Sequence, residues 1–142
     1  MPADAQAFAI DASVSAVWFL PDEATPATEA ALQATATRDV WVPALWLLEV
    51  GNLLLNAQRR KRITADKRRE LAGMAAALRL RVDREAVALT ALDELAARHG
   101  LTAYDAVYLE LALRRGLPLA TLDGALLAVM AEAGVPPVSL PL

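Results

Sequence analysis

Short apolar segments alternate with longer helix-forming segments along the whole chain, and this alternation restricts the fold more than any other feature. The apolar segments are short enough to be buried strands and lie at residues 8–10, 40–42, 80–82 and 117–121, with a fifth, edge strand expected at 137–140. Strands that alternate with helices form a parallel sheet covered by helices on both faces. We find no internal repeat, linker or low-complexity segment. The pattern therefore predicts one α/β domain over residues 1–142, with a mainly parallel central sheet of four to five strands.

The helical segments are predicted from their capping residues and from the glycines and prolines that end them. They lie at about residues 13–21, 26–37, 44–60, 64–78, 83–99, 102–115 and 123–133. Ser13 is expected to cap the first segment, and Asp83 is expected to start the fifth. The fifth segment ends at His99, before Gly100, where a histidine faces the negative end of the helix dipole.

Cysteine is absent and histidine nearly so, which excludes several kinds of site. Without cysteine the chain forms no disulfide, thiolate metal site or cysteine nucleophile. A single histidine excludes a multi-histidine zinc site within one chain. The one stretch long enough to span a membrane, residues 40–57, contains Glu49, and an acid at the bilayer centre costs about 2.5–3.5 kcal/mol. The N-terminus has no basic residue before its apolar part. A cytoplasmic protein without membrane contact is expected.

Four acids do not look like surface charges. Asp11 and Asp123 come after predicted strands, Glu49 lies within the apolar segment WLLEVGNLLL, and Asp105 lies within TAYDAVYLELA. Sites in parallel sheets form at the carboxyl ends of the strands, so we expect these carboxylates to meet in one crevice. Carboxylates in close proximity repel one another unless cations or protons neutralise them. All-oxygen ligands select Mg²⁺ or Mn²⁺, which makes a divalent metal site the predicted purpose of the set.

Each acid also has a structural explanation. Asp11 and Asp123 are of a residue type that caps helices, and Asp105 follows Thr102 in the spacing of a capping box. Glu49 is the hardest to explain in this way, because a buried and unpaired carboxylate is costly.

Three polar residues near the acids could orient them. Asn52 follows Glu49 by about one turn and would face the same way, although a structural hydrogen bond is the simpler explanation. Ser13 and Thr121 lie close to Asp11 and Asp123, where capping or orientation of an acid suits a hydroxyl better than direct chemistry.

Basic residues are concentrated in one segment, residues 58–70, although the net charge of the chain is −3. This basic segment holds seven of the fourteen lysines and arginines, namely Arg59, Arg60, Lys61, Arg62, Lys67, Arg68 and Arg69. Clustered cations neutralise a nucleic-acid backbone, so the segment predicts contact with RNA. Solvated helix ends are the alternative.

The four acids and their flanking sequences resemble those of PIN-domain ribonucleases. The matching stretches are AIDASV around Asp11, LLEVGNLL around Glu49, LTAYDAVYLELAL around Asp105 and LATLDGAL around Asp123. The resemblance covers nearly the whole chain. It is strongest to the VapC-like toxins of bacterial toxin–antitoxin pairs, which are single PIN domains of about this length.

The resemblance implies an α/β/α sandwich and a Mg²⁺- or Mn²⁺-dependent endoribonuclease that acts as a toxin. Asp11 and Asp105 would be the principal metal ligands, with Glu49 and Asp123 completing the pocket around a metal-activated water. A homodimer and a cognate VapB-like antitoxin are implied as well. Gly124 departs from the pattern, because a side chain that could help define the pocket is absent there.

Apolar surface for such partners is offered by Trp18, Phe19, Leu20 and residues 45–55, unless these pack into the core. Three other functions remain open. A receiver-type phosphoryl-transfer domain usually pairs its acids with a late lysine, and no lysine follows Lys67. A non-catalytic PIN-like module would keep the acids and only bind RNA or protein. A purely structural interaction protein would leave Glu49 unexplained.

Overall fold

The computed structural model describes residues 6–139, apart from the side chain of Pro21. Its strands are β1 (Phe8–Ile10), β2 (Val40–Pro43), β3 (Leu80–Asp83) and β4 (Leu119–Ala120). All four pair in parallel, in the order β3-β2-β1-β4, with Ala9 of β1 opposite Trp41 on one side and Leu119 on the other. The predicted parallel sheet is therefore confirmed, with β1 in the interior.

The predicted fifth strand is reduced to a single parallel bridge between Leu119 and Pro137 within the described residues. Leu140, the last residue of that prediction, lies outside them. The fourth strand is also shorter than predicted, since only Leu119 and Ala120 of residues 117–121 have strand geometry.

Seven helices occupy the described part of the chain, and each corresponds to a predicted segment. They are α1 (Ala12–Phe19), α2 (Pro26–Ala34), α3 (Leu45–Arg59), α4 (Ala65–Ala77), α5 (Leu89–His99), α6 (Ala103–Arg115) and α7 (Gly124–Ala133), with a short 3-10 turn at Pro21–Glu23. The side chains of Thr25, Thr64 and Thr102 accept hydrogen bonds from the first turns of α2, α4 and α6, as their sequence positions predict. His99 ends α5 as predicted, because Gly100 takes the left-handed conformation with φ 64°.

Two predicted helix starts are wrong. Asp11, and not Ser13, occupies the N-cap position of α1, and its side chain makes no capping hydrogen bond. Asp83 ends β3 instead of starting a helix, and α5 begins only at Leu89. In both cases the aspartate side chain bonds to a residue that is distant in the sequence. It therefore does not cap a helix, which is the local role that aspartate favours.

Alternate residues of β1 face two separate apolar clusters, which places helices on both faces of the sheet. Phe8 and Ile10 belong to a cluster with Trp46 and Val50 of α3. Ala9 belongs to a second cluster, built from α6, α7 and the end of the chain, that includes Leu109 and Leu126. The predicted sandwich of helix, sheet and helix layers is thus confirmed.

The apolar segments that could have served a partner divide between the core and the surface. Phe19 is buried, and Trp18 and Leu20 pack against the first cluster. In α3, by contrast, Leu47, Leu48 and Leu55 are exposed, Leu48 by 67%. None of the helices in residues 6–139 is long and apolar enough to cross a bilayer.

Candidate active site

The carboxyl ends of β1 and β4 bring together acids that are far apart in sequence. Asp11 follows β1 directly, and Asp123 comes three residues after the end of the neighbouring strand, β4. The backbone N–H of Asp11 donates to the carbonyl of Ala120, a bond of 3.0 Å that ties the two strand ends together. The parallel pairing thus places Asp11 and Asp123 at the carboxyl ends of two neighbouring strands.

Asp11 is buried, and two hydroxyl groups hold its carboxylate. Thr121 Oγ1 donates to Asp11 Oδ2 over 2.6 Å, and Ser13 Oγ donates to the same oxygen over 2.9 Å. Both hydroxyl oxygens also accept backbone N–H bonds of 2.9 Å, from Asp123 to Thr121 and from Leu122 to Ser13. Each hydroxyl proton is therefore left to point at Asp11, while no described residue donates to Asp11 Oδ1. The predicted orienting role of Ser13 and Thr121 agrees with this network.

Asp105 lies in the first turn of α6, close enough to Asp123 for their carboxyl groups to hydrogen-bond. Burial, the charge and hydrogen bond of Asp123 and the charge of Asp11 together raise the pKa of Asp105 to about 6, against a smaller lowering by Thr102. Asp123 also caps α7 through the Ala125 N–H, as its structural explanation predicts. The capping box at Asp105 is only half present, because Thr102 accepts the Asp105 N–H but the Asp105 carboxylate accepts no hydrogen bond from the Thr102 N–H. Capping and membership of the acidic group are therefore compatible.

Glu49 is half-buried in the second turn of α3 and receives a short hydrogen bond from another helix. Tyr108 of α6, itself only 1% exposed, donates its hydroxyl proton to Glu49 Oε1 over 2.5 Å. Burial raises the pKa of Glu49 and the charge of Asp11 adds to this, whereas the Tyr108 hydrogen bond lowers it. Asn52, for which a structural hydrogen bond was expected, is exposed. Its side chain bonds to none of the described residues, so that hydrogen bond is not found among them.

Carboxylate charges act on one another throughout this site, with Asp11 affecting both Glu49 and Asp105. Nevertheless, among residues 6–139 no three Asp, Glu or His side chains lie close enough together to hold one metal ion as they stand. The two findings are compatible, because the repulsion between two carboxylates acts over longer distances than the bonds from two carboxylates to one shared metal ion. The candidate donors are all carboxylate oxygens, and such donors fit Mg²⁺ or Mn²⁺.

Sequence reasoning missed Tyr108, although a signal for it exists. Tyr104 and Tyr108 lie one turn apart on α6, yet Tyr104 is 64% exposed and Tyr108 is buried. Tyr108 falls on the stripe of Leu111 and Ala112, which marks the buried face of the helix. A buried tyrosine normally finds a hydrogen-bond partner, so a search for an acid to receive this hydroxyl could have found the pair with Glu49.

A second group of charges, also missed, joins α6 to the end of β3. The Asp83 side chain is only 4% exposed and accepts hydrogen bonds from both Arg114 and Arg115, the shortest of them 2.6 Å. These hydrogen bonds, Arg114 first, lower the pKa of Asp83 despite its burial. The guanidinium of Arg115 also stacks 3.7 Å over the Trp41 ring. Both ends of α6 are thus fixed, one beside the acids and the other at the sheet edge.

The basic segment begins in the last turn of α3 and continues into α4, and acids neutralise only part of it. Arg62 pairs with Asp22, Lys67 with Glu70 and Arg69 with Asp66, while Arg68 bonds to Gln58. Arg59, Arg60 and Lys61 are exposed and make no ion pair or side-chain hydrogen bond with a described residue. Three cations are therefore available at the end of α3.

Comparisons with known proteins agree with this geometry. The family model of the PIN domain matches residues 8–132, which contain all four acids, and PIN domains are generally nucleases that use divalent metals. The crystal structure of PAE2754 from Pyrobaculum aerophilum is similar, with a TM-score of 0.64 and 26% sequence identity over 87% of this chain and 79% of that one. A search of curated proteins gives no match. The chain therefore belongs to the PIN domain family.

Proposed function

We propose that the protein is a Mg²⁺- or Mn²⁺-dependent endoribonuclease and the toxin component of a toxin–antitoxin pair. The observation that carries the proposal is that Asp105 lies within hydrogen-bond reach of Asp123 and within the field of Asp11, near the ends of β1 and β4. Burial first, and then the charges of these two acids, raise the pKa of Asp105 to about 6. Repulsion of this kind is a cost that folding alone does not explain, and a bound cation would remove it.

Asp11 and Asp105 would be the principal metal ligands, with Glu49 and Asp123 completing the set. A divalent ion in such a site supplies a water of lowered pKa and neutralises the charge of the leaving oxygen. Ser13 and Thr121 both bond to Asp11 Oδ2, which leaves Oδ1 as the oxygen directed to a ligand. Tyr108 fixes Glu49 through Oε1 and leaves Oε2 without a described donor.

Glu49 is our choice as the group that accepts a proton from the attacking water. Its raised pKa makes it a stronger base than an ordinary glutamate. Asp123, whose carboxylate accepts the Ala125 N–H at the start of α7, is the alternative. Gly124 leaves open space beside this carboxylate, since a Cβ there would contact nothing within 4 Å.

RNA would follow the basic segment, where Arg59, Arg60 and Lys61 are exposed and unpaired among the described residues. Phosphate contacts of this kind position a strand without reading its sequence. For protein partners, the exposed Leu47, Leu48 and Leu55 of α3 support a homodimer or an interface with a VapB-like antitoxin.

The test is cleavage of single-stranded RNA by the purified chain with Mn²⁺, Mg²⁺ or EDTA. We expect internal cleavage with either metal, none in EDTA, and none from Asp11→Asn. The matched control is Asp93→Asn, an exposed aspartate on α5, which should cleave normally. Full activity in EDTA would rule out metal dependence, and binding without cleavage would favour the non-catalytic PIN-like module.

Two further measurements test the proposed homodimer and the proposed antitoxin. Light scattering after gel filtration should give a dimer that Leu48→Glu converts to a monomer, and a monomeric wild type would contradict the dimer. Co-expression with the product of an adjoining reading frame should suppress the growth arrest caused by the chain alone. Arrest that persists with every such product would count against the toxin role.

A further inference from the structure

A groove of about 420 Å³ opens beside the acidic site, between α1, the end of α3 and the connection after β4. We call it the α1–α3 groove. Its lining includes the cation Arg62, two acids and several small or aliphatic residues, namely Asp22, Glu23, Ser13, Val17, Leu20, Leu53 and Leu122. Its volume lies in the range of roughly 300–1,000 Å³ that is usual for small-ligand sites.

The lining connects the acidic site to the basic segment. Ser13 donates to Asp11, and the N–H of Leu122 donates to Ser13 over 2.9 Å, so this part of the groove is one residue away from the proposed metal ligands. Arg62 belongs to the basic segment and pairs with Asp22, which also lines the groove. An RNA strand that runs from the acids to the exposed basic residues would therefore pass beside the α1–α3 groove.

The chemistry of the walls suits a nucleotide. Val17, Leu20, Leu53 and Leu122 supply aliphatic surface against which the face of an unstacked base can lie, and an arginine plane can stack on or pair with it. The Arg62–Asp22 pair is 51% and 80% exposed, and exposed pairs contribute only about 0.2–1 kcal/mol. Arg62 can therefore exchange Asp22 for a phosphate or a base edge at little cost.

We propose that the α1–α3 groove binds one unpaired nucleotide of the substrate, next to the phosphodiester that the acids would cleave, with Arg62 as its charged contact. This proposal rests on the proposed ribonuclease function. RNA is a better occupant than a protein segment because Arg59, Arg60 and Lys61, which precede Arg62, are exposed and have no acidic partner within residues 6–139.

The test is a titration of the isotope-labelled chain with nucleoside 5′-monophosphates in Mg²⁺, followed by amide NMR. We expect the signals of Leu53, Arg62 and Leu122 to shift, and Arg62→Ala to weaken binding at least threefold. Arg81→Ala is the matched control, because Arg81 is a similarly exposed arginine in an ion pair of the same 2.9 Å length with Asp39 and lies outside the groove. It should bind like the wild type.

A second variant, Ala16→Leu, fills the groove from α1 and should abolish the shifts; circular dichroism checks its fold. Shifts elsewhere, equal behaviour of Arg62→Ala and Arg81→Ala, or normal binding by folded Ala16→Leu would each overturn the proposal. Groove shifts caused only by the product of an adjoining reading frame would assign the site to a protein and overturn it too. Normal RNA cleavage without groove shifts would refute the groove alone, whereas groove shifts without cleavage would refute the nuclease and leave the subsite standing.

Discussion

Replacing Asp105 by asparagine should make the metal-free protein more stable while it destroys the proposed activity. Burial, Asp123 and Asp11 raise the pKa of Asp105 from 3.8 to about 6. A carboxyl whose pKa is higher in the folded state stabilises that state below its unfolded pKa and loses this contribution as the pH rises through the folded pKa. At pH 7.5 the ionised Asp105 therefore opposes folding, and the neutral amide of asparagine removes that opposition.

The expected gain is small but measurable. A pKa raised from 3.8 to about 6 corresponds to ~3 kcal/mol, and solvent screening of this partly exposed group reduces it to ~1 kcal/mol. Loss of a negative charge from the first turn of α6 costs about 0.3 kcal/mol in return. The repulsion term is the larger, so Asp105→Asn should raise the Tm by about 2 °C for a chain of this length.

Thermal unfolding in EDTA at pH 7.5 and at pH 4 tests this reasoning. We expect the difference in Tm at pH 7.5 and almost none at pH 4, while Asp93→Asn shows no gain at either pH. Mn²⁺ should raise the Tm of the wild type more than that of Asp105→Asn, because the variant lacks a ligand. A variant that is less stable than the wild type at pH 7.5, or equally stabilised at both pH values, would refute the argument.

Three other perturbations have expected outcomes. Tyr108→Phe removes the hydrogen bond to Glu49 and should cost about 1–2 kcal/mol by urea unfolding. It should also weaken Mn²⁺ binding in calorimetry, and unchanged affinity would show that Tyr108 does not position the acid. Asp83→Ala leaves two arginines without their buried partner and should cost ~3 kcal/mol, against less than ~1 kcal/mol for the exposed Asp39→Ala; equal costs would contradict the assigned importance of burial. Replacing Arg59, Arg60 and Lys61, which have no ion pair among the described residues, by glutamine should reduce the slope of the salt dependence of RNA binding by about 0.7 per lost phosphate contact. An unchanged slope would place the RNA elsewhere.

Local patterns were sufficient to predict the positions of β1 to β4 and most helix ends, although not the length of β4 or the reduction of the fifth strand to a bridge. Phe8–Ile10 is apolar and is followed by Asp11, and Thr102 precedes a helix that Gly116 ends, so the chemistry of neighbouring residues determines these elements. Once β1 and β4 pair in parallel, Asp11 and Asp123 both lie at the carboxyl ends of the strands. For this reason the grouping of these acids could be predicted from the sequence.

Long-range partners could not be predicted in the same way. Asp83 has the residue type and the position of a helix start, but Arg114 and Arg115, more than thirty residues away, outweigh that local preference. Similarly, Glu49 finds Tyr108 on a helix 59 residues later, whereas local reasoning considered Asn52 because it lies within one turn. Such choices depend on how helices pack across the sheet, which neither composition nor periodicity specifies.

Long-range contacts at the middle and at the C-terminal end of α6 restrict the insertions and deletions that this helix can accept. Tyr108 and Arg115 are seven residues apart and so share one face of the helix, where one meets Glu49 and the other meets Asp83 and Trp41. Adding or removing a single residue between them would rotate one contact by about 100° relative to the other. Length variation among natural homologues should therefore avoid residues 108–115 and collect in the connections between elements.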